Sequence, residues 1–113
     1  MSKAMTLLAV VLVSGGWAQS VMAADPQYAR SLAATCFTCH GTEGRSVNGV
    51  PPSLAGQNKD YMLKQVLEFR DGKRPATIMH QHAKGYTNDQ LELIAGYFAS
   101  LTPGRATPAP AAR

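Results

Sequence analysis

The chain has 113 residues, a formal charge of +4 and 45% hydrophobic residues, so it is long enough for one domain and no more. The longest run of Lys and Arg is the pair Lys73-Arg74, too short for the basic stripe of a nucleic-acid binder. A domain this small buries too little surface to be comfortably stable alone, so a disulfide, a metal or a cofactor is expected.

The first residues read as a leader. Lys3 supplies a cationic start, residues 4–13 are apolar, and Val21-Met22-Ala23 offers small or apolar positions before a cleavage point. Ser14, Gly15, Gly16, Gln19 and Ser20 interrupt the run before the roughly 20 apolar residues a membrane span needs. A signal peptide over residues 1–23, cleaved after Ala23 or Ala24, is expected, with delivery to the periplasm and no membrane span afterwards. Lys3 leaves with it, and the ten basic and seven acidic residues that remain carry +3.

After the leader, Asp25-Pro26 predicts an N-cap followed by proline at the first helical position. Ala29, Leu32, Ala33 and Cys36 then fall on one stripe of a short helix. Residues 41–56 carry four glycines and Pro51-Pro52; no regular element fits, and a loop of that length in so small a domain is expected to wrap something. Asn58 or Asp60 starts a second helix, with Met62, Leu63, Val66, Leu67 and Phe69 apolar and Gly72 at its end. A second loop is expected from Lys73 to Tyr86. Thr87 and Gln90 form a capping box for a third helix, with Tyr86 and Leu91 as its hydrophobic staple. Leu91, Ile94, Ala95, Phe98 and Leu101 make its buried stripe, and Gly96 is expected where another helix crosses closely. Residues 103–113 are rich in Pro and Ala and are expected to be a disordered tail. No strand alternation appears, so the fold class is all-α, with three main short helices and long loops in a domain over residues 24–102.

The chemistry lies in Cys36-Phe37-Thr38-Cys39-His40, the attachment pattern of c-type haem. Two thiols at this spacing add to the two vinyl groups, and the adjacent imidazole becomes the proximal ligand of the iron. A thioredoxin-like pair needs a βαβ context, a zinc site needs more ligands, and a disulfide across two residues leaves His40 unexplained. With haem granted, the size problem resolves, because the porphyrin supplies the apolar centre.

For the other face of the iron the residues alone leave Met79, His80 and His82 in competition, and an open position besides. Met62 lies inside an amphipathic helix and reads as core filler. Met79 lies in the second loop, where a thioether can be laid against iron without breaking a helix. Successive loop residues point apart, so only one of Met79 and His80 is expected to face inward.

Cys36 to His40 with Gly41-Thr42, then Pro52-Ser53-Leu54-Ala55-Gly56-Gln57, Tyr61 and Gln65, resembles class I cytochrome c of the small bacterial type. Arg74-Pro75-Ala76-Thr77-Ile78-Met79-His80, Ala83-Lys84-Gly85-Tyr86-Thr87 and Gly96-Tyr97-Phe98-Ala99 resemble more particularly the cytochrome subunits of flavocytochrome c sulfide dehydrogenases. The resemblance covers roughly residues 28–101. It implies thioether bonds at Cys36 and Cys39, His40 as proximal ligand, Met79 as distal ligand and the Pro52 carbonyl as acceptor for His40 Nδ1, all around one covalently attached haem c. It also implies a one-electron carrier rather than a catalyst, with an FAD-containing sulfide dehydrogenase subunit as electron donor and a separate downstream acceptor. A freely diffusing monohaem shuttle fits the general cytochrome signature equally. A haem enzyme or gas sensor would need an open sixth position. His82 departs from the resemblance, standing where an aliphatic residue is expected.

Overall fold

The computed structural model describes residues 25–104. The expected leader lies outside the described residues, as do positions 105–113 of the expected tail.

The helices begin where their caps are written. Helix α1, Pro26–Ala33, opens with the Asp25 carboxylate accepting the Gln27 N–H at 2.9 Å and with proline in its first turn. It tightens into a 3-10 turn over Ala34–Cys36 and continues as α2, Phe37–His40. Helix α3, Lys59–Arg70, is capped by Asn58, whose Oδ1 accepts from Tyr61 N–H at 2.9 Å, so of the two expected starts Asn58 is the one used. Helix α5, Asn88–Ser100, starts on the complete Thr87/Gln90 capping box. No strand occurs among the described residues.

The second expected loop is not continuous loop. Met79–Lys84 folds into a six-residue helix, α4, packed on α3. Ile78, at its N-cap position, makes no side-chain cap bond, and Ala83 is buried beneath it. The helix is therefore held by burying Ala83, not by a local signal at its start.

Helices α1 and α3 both pack on α5, whose buried stripe is Leu91, Ile94, Ala95 and Phe98, as its periodicity predicts; Leu101 is half-buried. Phe98 is 1% exposed and meets Phe37 and Tyr97 edge-on, with ring centroids 6.1 and 5.2 Å away. Tyr86 packs on the same cluster, as the staple requires. Gly96 does not serve a close helix crossing: a Cβ built there would meet only Lys59 Cε, at 3.9 Å. Past Thr102, Pro103 and Gly104 lie against Gly56 and Arg45, so the packing reaches two residues beyond the expected boundary.

Candidate functional site: a cavity facing the cysteine motif

Between the motif on one side and α3, α4 and α5 on the others lies a cavity of about 640 Å³. Cys36, Cys39 and His40 open onto it from the N-terminal half of the domain. Pro52 and Leu54 close it from the first loop, and Ile78, Met79, His82 and Ala83 face it from α4 and the residue before it. Its floor is the core itself, Met62, Leu91, Ile94 and Phe98. A volume within the roughly 300–1,000 Å³ of ligand and cofactor pockets, mostly apolar walls and a few convergent polar groups mark it as a cofactor site.

The broken helix through residues 34–40 sets the motif. Neither thiol is bonded to another; Cys36 is half-buried and Cys39 exposed. Burial pushes the Cys36 thiol up from its ordinary range, against smaller opposing effects from Thr35 and its own backbone. Among the described residues no three His, Cys, Asp or Glu side chains gather as a bare metal-ion site would require.

His40 is buried, and its Nδ1 stands 2.7 Å from the Pro52 carbonyl oxygen. A carbonyl only accepts, so Nδ1 carries the proton and Nε2 is left as the free nitrogen on the ring. That bond fixes both tautomer and ring orientation, as second-shell acceptors do for metal-binding histidines. Pro52 is itself held. Leu54 and Ala55 N–H donate to the Gly44 carbonyl at 2.7 and 3.1 Å, Ser46 N–H donates to Ser53 Oγ at 2.9 Å, and Gly49 N–H donates to Ser46 Oγ at 3.0 Å. The first loop is thus folded back on the motif by its own hydrogen bonds.

A second brace behind the motif has no sequence signature. The Glu43 carboxylate, on a residue with φ of 56°, accepts from Arg30 Nε at 3.0 Å and Nη2 at 2.7 Å, and the Tyr97 hydroxyl donates to its other oxygen. The Arg30 guanidinium also lies 5.9 Å from the centre of the Phe37 ring. Residues from α1, the turn after α2, and α5 are tied together across the back of the cysteine motif. No pattern in the chain pairs positions 30, 43 and 97; only their meeting in space does.

The structure brings together all five sequence-predicted site residues, Cys36, Cys39, His40, Pro52 and Met79, on one cavity. The expectation that Met79 and His80 point apart holds, though for a helical reason: Met79, His82 and Ala83 share the cavity face of α4, and His80 is off it. Met62 is buried in the core cluster, as expected, and also lines the cavity. At the cavity wall the Arg74 guanidinium donates to the Gln65 side chain and lies 4.6 Å over the Phe69 ring, with Tyr61 nearby on the same wall.

This donor set fits covalent haem. The two thiols and the imidazole nitrogen open on one apolar space, and a thioether lines its far side.

Comparison with known proteins agrees. The sequence pattern of the family described as "Cytochrome c" matches residues 28–102. The chain is 42% identical over 71 residues to the cytochrome subunit of sulfide dehydrogenase of Chlorobaculum tepidum, covering 63% of this chain and 64% of that protein. It is 36% identical over 104 residues to cytochrome c4 of Pseudomonas aeruginosa, covering 90% of this chain and 52% of the relative. Among solved structures, a cytochrome c4 of Acidithiobacillus ferrooxidans superposes with a TM-score of 0.59 at 34% identity, over 65% of this chain and 49% of that one. The chain therefore spans about half to two thirds of the length of these relatives. With the motif, the all-helical fold and the family pattern in agreement, the chain belongs to the cytochrome c family, electron carriers built around covalently attached haem c.

Proposed function

We propose that this chain is the haem subunit of a periplasmic sulfide-oxidising complex, accepting electrons one at a time from an FAD-containing sulfide dehydrogenase subunit and handing them to a downstream acceptor. The observation that carries the reading is the 42% identity to the Chlorobaculum tepidum cytochrome subunit. The leader-like residues 1–23 support the periplasmic compartment.

In this reading Cys36 and Cys39 would hold the haem through thioether bonds, His40 and Met79 would ligate its iron, and Pro52 would orient His40 through Nδ1. Haem iron bound in this way supplies one-electron redox chemistry. The chain's own residues do the rest. Pro52 keeps the imidazole from rotating, the core of Leu91, Ile94 and Phe98 excludes water, and Tyr61 and Arg74 offer donors to carboxylates at the cavity wall. With His40 and Met79 both ligating the iron, the chain would leave no position for sulfide, and the two-electron oxidation would fall to the flavin partner.

A second reading, a freely diffusing carrier, stands beside it because the chain also matches proteins not named as sulfide dehydrogenase subunits, cytochromes c4 and the thiosulfate dehydrogenase electron acceptor of Stutzerimonas stutzeri, the latter at 35% identity over 58% of this chain and 32% of that protein. Purification from the native source decides between them. A dedicated subunit co-elutes with a flavin-containing protein through gel filtration and high-salt ion exchange, because a buried, partly apolar contact survives salt and a charge-steered encounter does not. A red protein that elutes alone, at or below its 12.0 kDa precursor mass, while a sulfide-oxidising flavoprotein is present in the same extract, replaces the first reading by the second.

A further inference from the structure

The cavity holds a second imidazole that the proposed function leaves unused. Met79 opens α4 and His82 follows three residues later, so the two side chains share a helix face, with Cβ atoms about 5–6 Å apart. Both line the cavity, whereas His80 does not. Side chains on a helix lean toward its N-terminus, so the His82 ring inclines back over the turn that Met79 begins. His40 lines the same cavity from the side of the motif, its Nδ1 bonded to Pro52.

We propose that His82 is a reserve axial donor to the haem iron, binding ferric iron whenever the Met79 thioether is removed. The inference rests on the reading of His40 and Met79 as the axial pair. Imidazole is an established haem ligand, and a thioether, being soft, holds ferric iron less firmly than ferrous. A donor tethered one turn away acts at an effective concentration in the millimolar range or above, which external ligands rarely reach. Two features of α4 permit the exchange. The helix has only six residues, too few to be stable by itself, and its first turn lacks a side-chain cap. A displacement of three residues along its axis is about 4.5 Å.

The test uses full-length protein matured with haem in the periplasm, as wild type, Met79→Ala, Met79→Ala/His82→Ala and Met79→Ala/His80→Ala. The ferric spin state is read by optical and electron paramagnetic resonance spectra, and affinity is read by titration with free imidazole. Met79→Ala should be low-spin with a bis-imidazole signature and should bind free imidazole at least about tenfold more weakly than Met79→Ala/His82→Ala, which should be high-spin. Met79→Ala/His80→Ala should behave as Met79→Ala. A high-spin Met79→Ala protein, or equal imidazole affinities with and without His82, overturns the proposal. So does loss of the low-spin signature in the His80 variant alone. If Met79→Ala does not fold, wild type and His82→Leu are compared at the denaturant concentration where the sulfur-to-iron band disappears but the helical signal persists. A low-spin wild type beside a high-spin His82→Leu supports the proposal, and two identical spectra refute it. Covalent haem in wild type is checked by acid-acetone in parallel. Extractable haem removes the underlying reading, whereas covalent haem with a high-spin Met79→Ala protein removes only the role of His82.

Discussion

Gly44 lies against the Phe98 ring of α5 and Leu54 of the first loop, and Gly44→Ala is the most informative single perturbation of the fold. Its φ is +70°, a conformation that costs an L side chain about 1–2 kcal/mol. An added Cβ would fall 2.6 Å from Phe98 Cε1, 2.7 Å from Cδ1 and 3.1 Å from Leu54 Cβ. The Phe98 ring is fully buried between Phe37 and Tyr97, so it cannot swing away, and forced overpacking adds about 1–3 kcal/mol. The stiffer unfolded chain returns about 0.4–1 kcal/mol, leaving a net loss of about 1–5 kcal/mol. Gly49 is the control, with φ of +75° and nothing within 4 Å of its added Cβ, so Gly49→Ala should lose only about 1 kcal/mol. At about 4–8 °C per kcal/mol for a domain of this size, the overpacking should separate the two holoprotein Tm values by at least about 4 °C. Because the Gly44 carbonyl holds Leu54 and Ala55, and through them the Pro52 turn, Gly44→Ala should also shift the reduction potential while Gly49→Ala leaves it in place. Equal Tm values for the two variants would refute the close packing of Gly44 on Phe98.

Other outcomes follow from single sites. Gly96→Ala should stabilise the holoprotein by about 0.5–1 kcal/mol in a denaturant titration, since α5 gains helix propensity and the new Cβ meets only Lys59 Cε at 3.9 Å. Acid-acetone should leave all pigment on protein matured in the periplasm, and Cys36→Ala/Cys39→Ala should release it. Lys59 donates to the Glu92 carboxylate at 2.7 Å, and this hydrogen bond, with the lysine charge, holds the Glu92 pKa below its ordinary 4.5. Because the folded-state value is the lower one, the pair stabilises above the ordinary carboxylate range and its contribution is lost as pH falls through the folded-state pKa. The Tm difference between wild type and Glu92→Gln should accordingly close in acid and open toward neutral pH. A difference independent of pH would assign the effect to something other than ionisation.

The features legible in the sequence are those that local chemistry sets. The helix starts at Asp25, Asn58 and Thr87 are legible because a cap is a bond between near neighbours, and the stripe on α5 is legible because its period is set by the helix itself. The cysteine motif is legible for the same reason, since five consecutive residues carry its whole chemistry. Features that depend on distant partners emerge only when the chain is folded. Helix α4 has no cap and only six residues, so nothing local distinguishes it from loop; burial of Ala83 and packing on α3 select it. That choice also decides the histidines, because the helical period puts His82 rather than His80 on the cavity with Met79. Glu43 finds Arg30 and Tyr97 across 13 and 54 residues of chain, and Gly44 meets Phe98. Gly96 belongs with these, because a glycine inside a helix shows its cost in the sequence, while the space beside it exists only once α5 and Lys59 are in place.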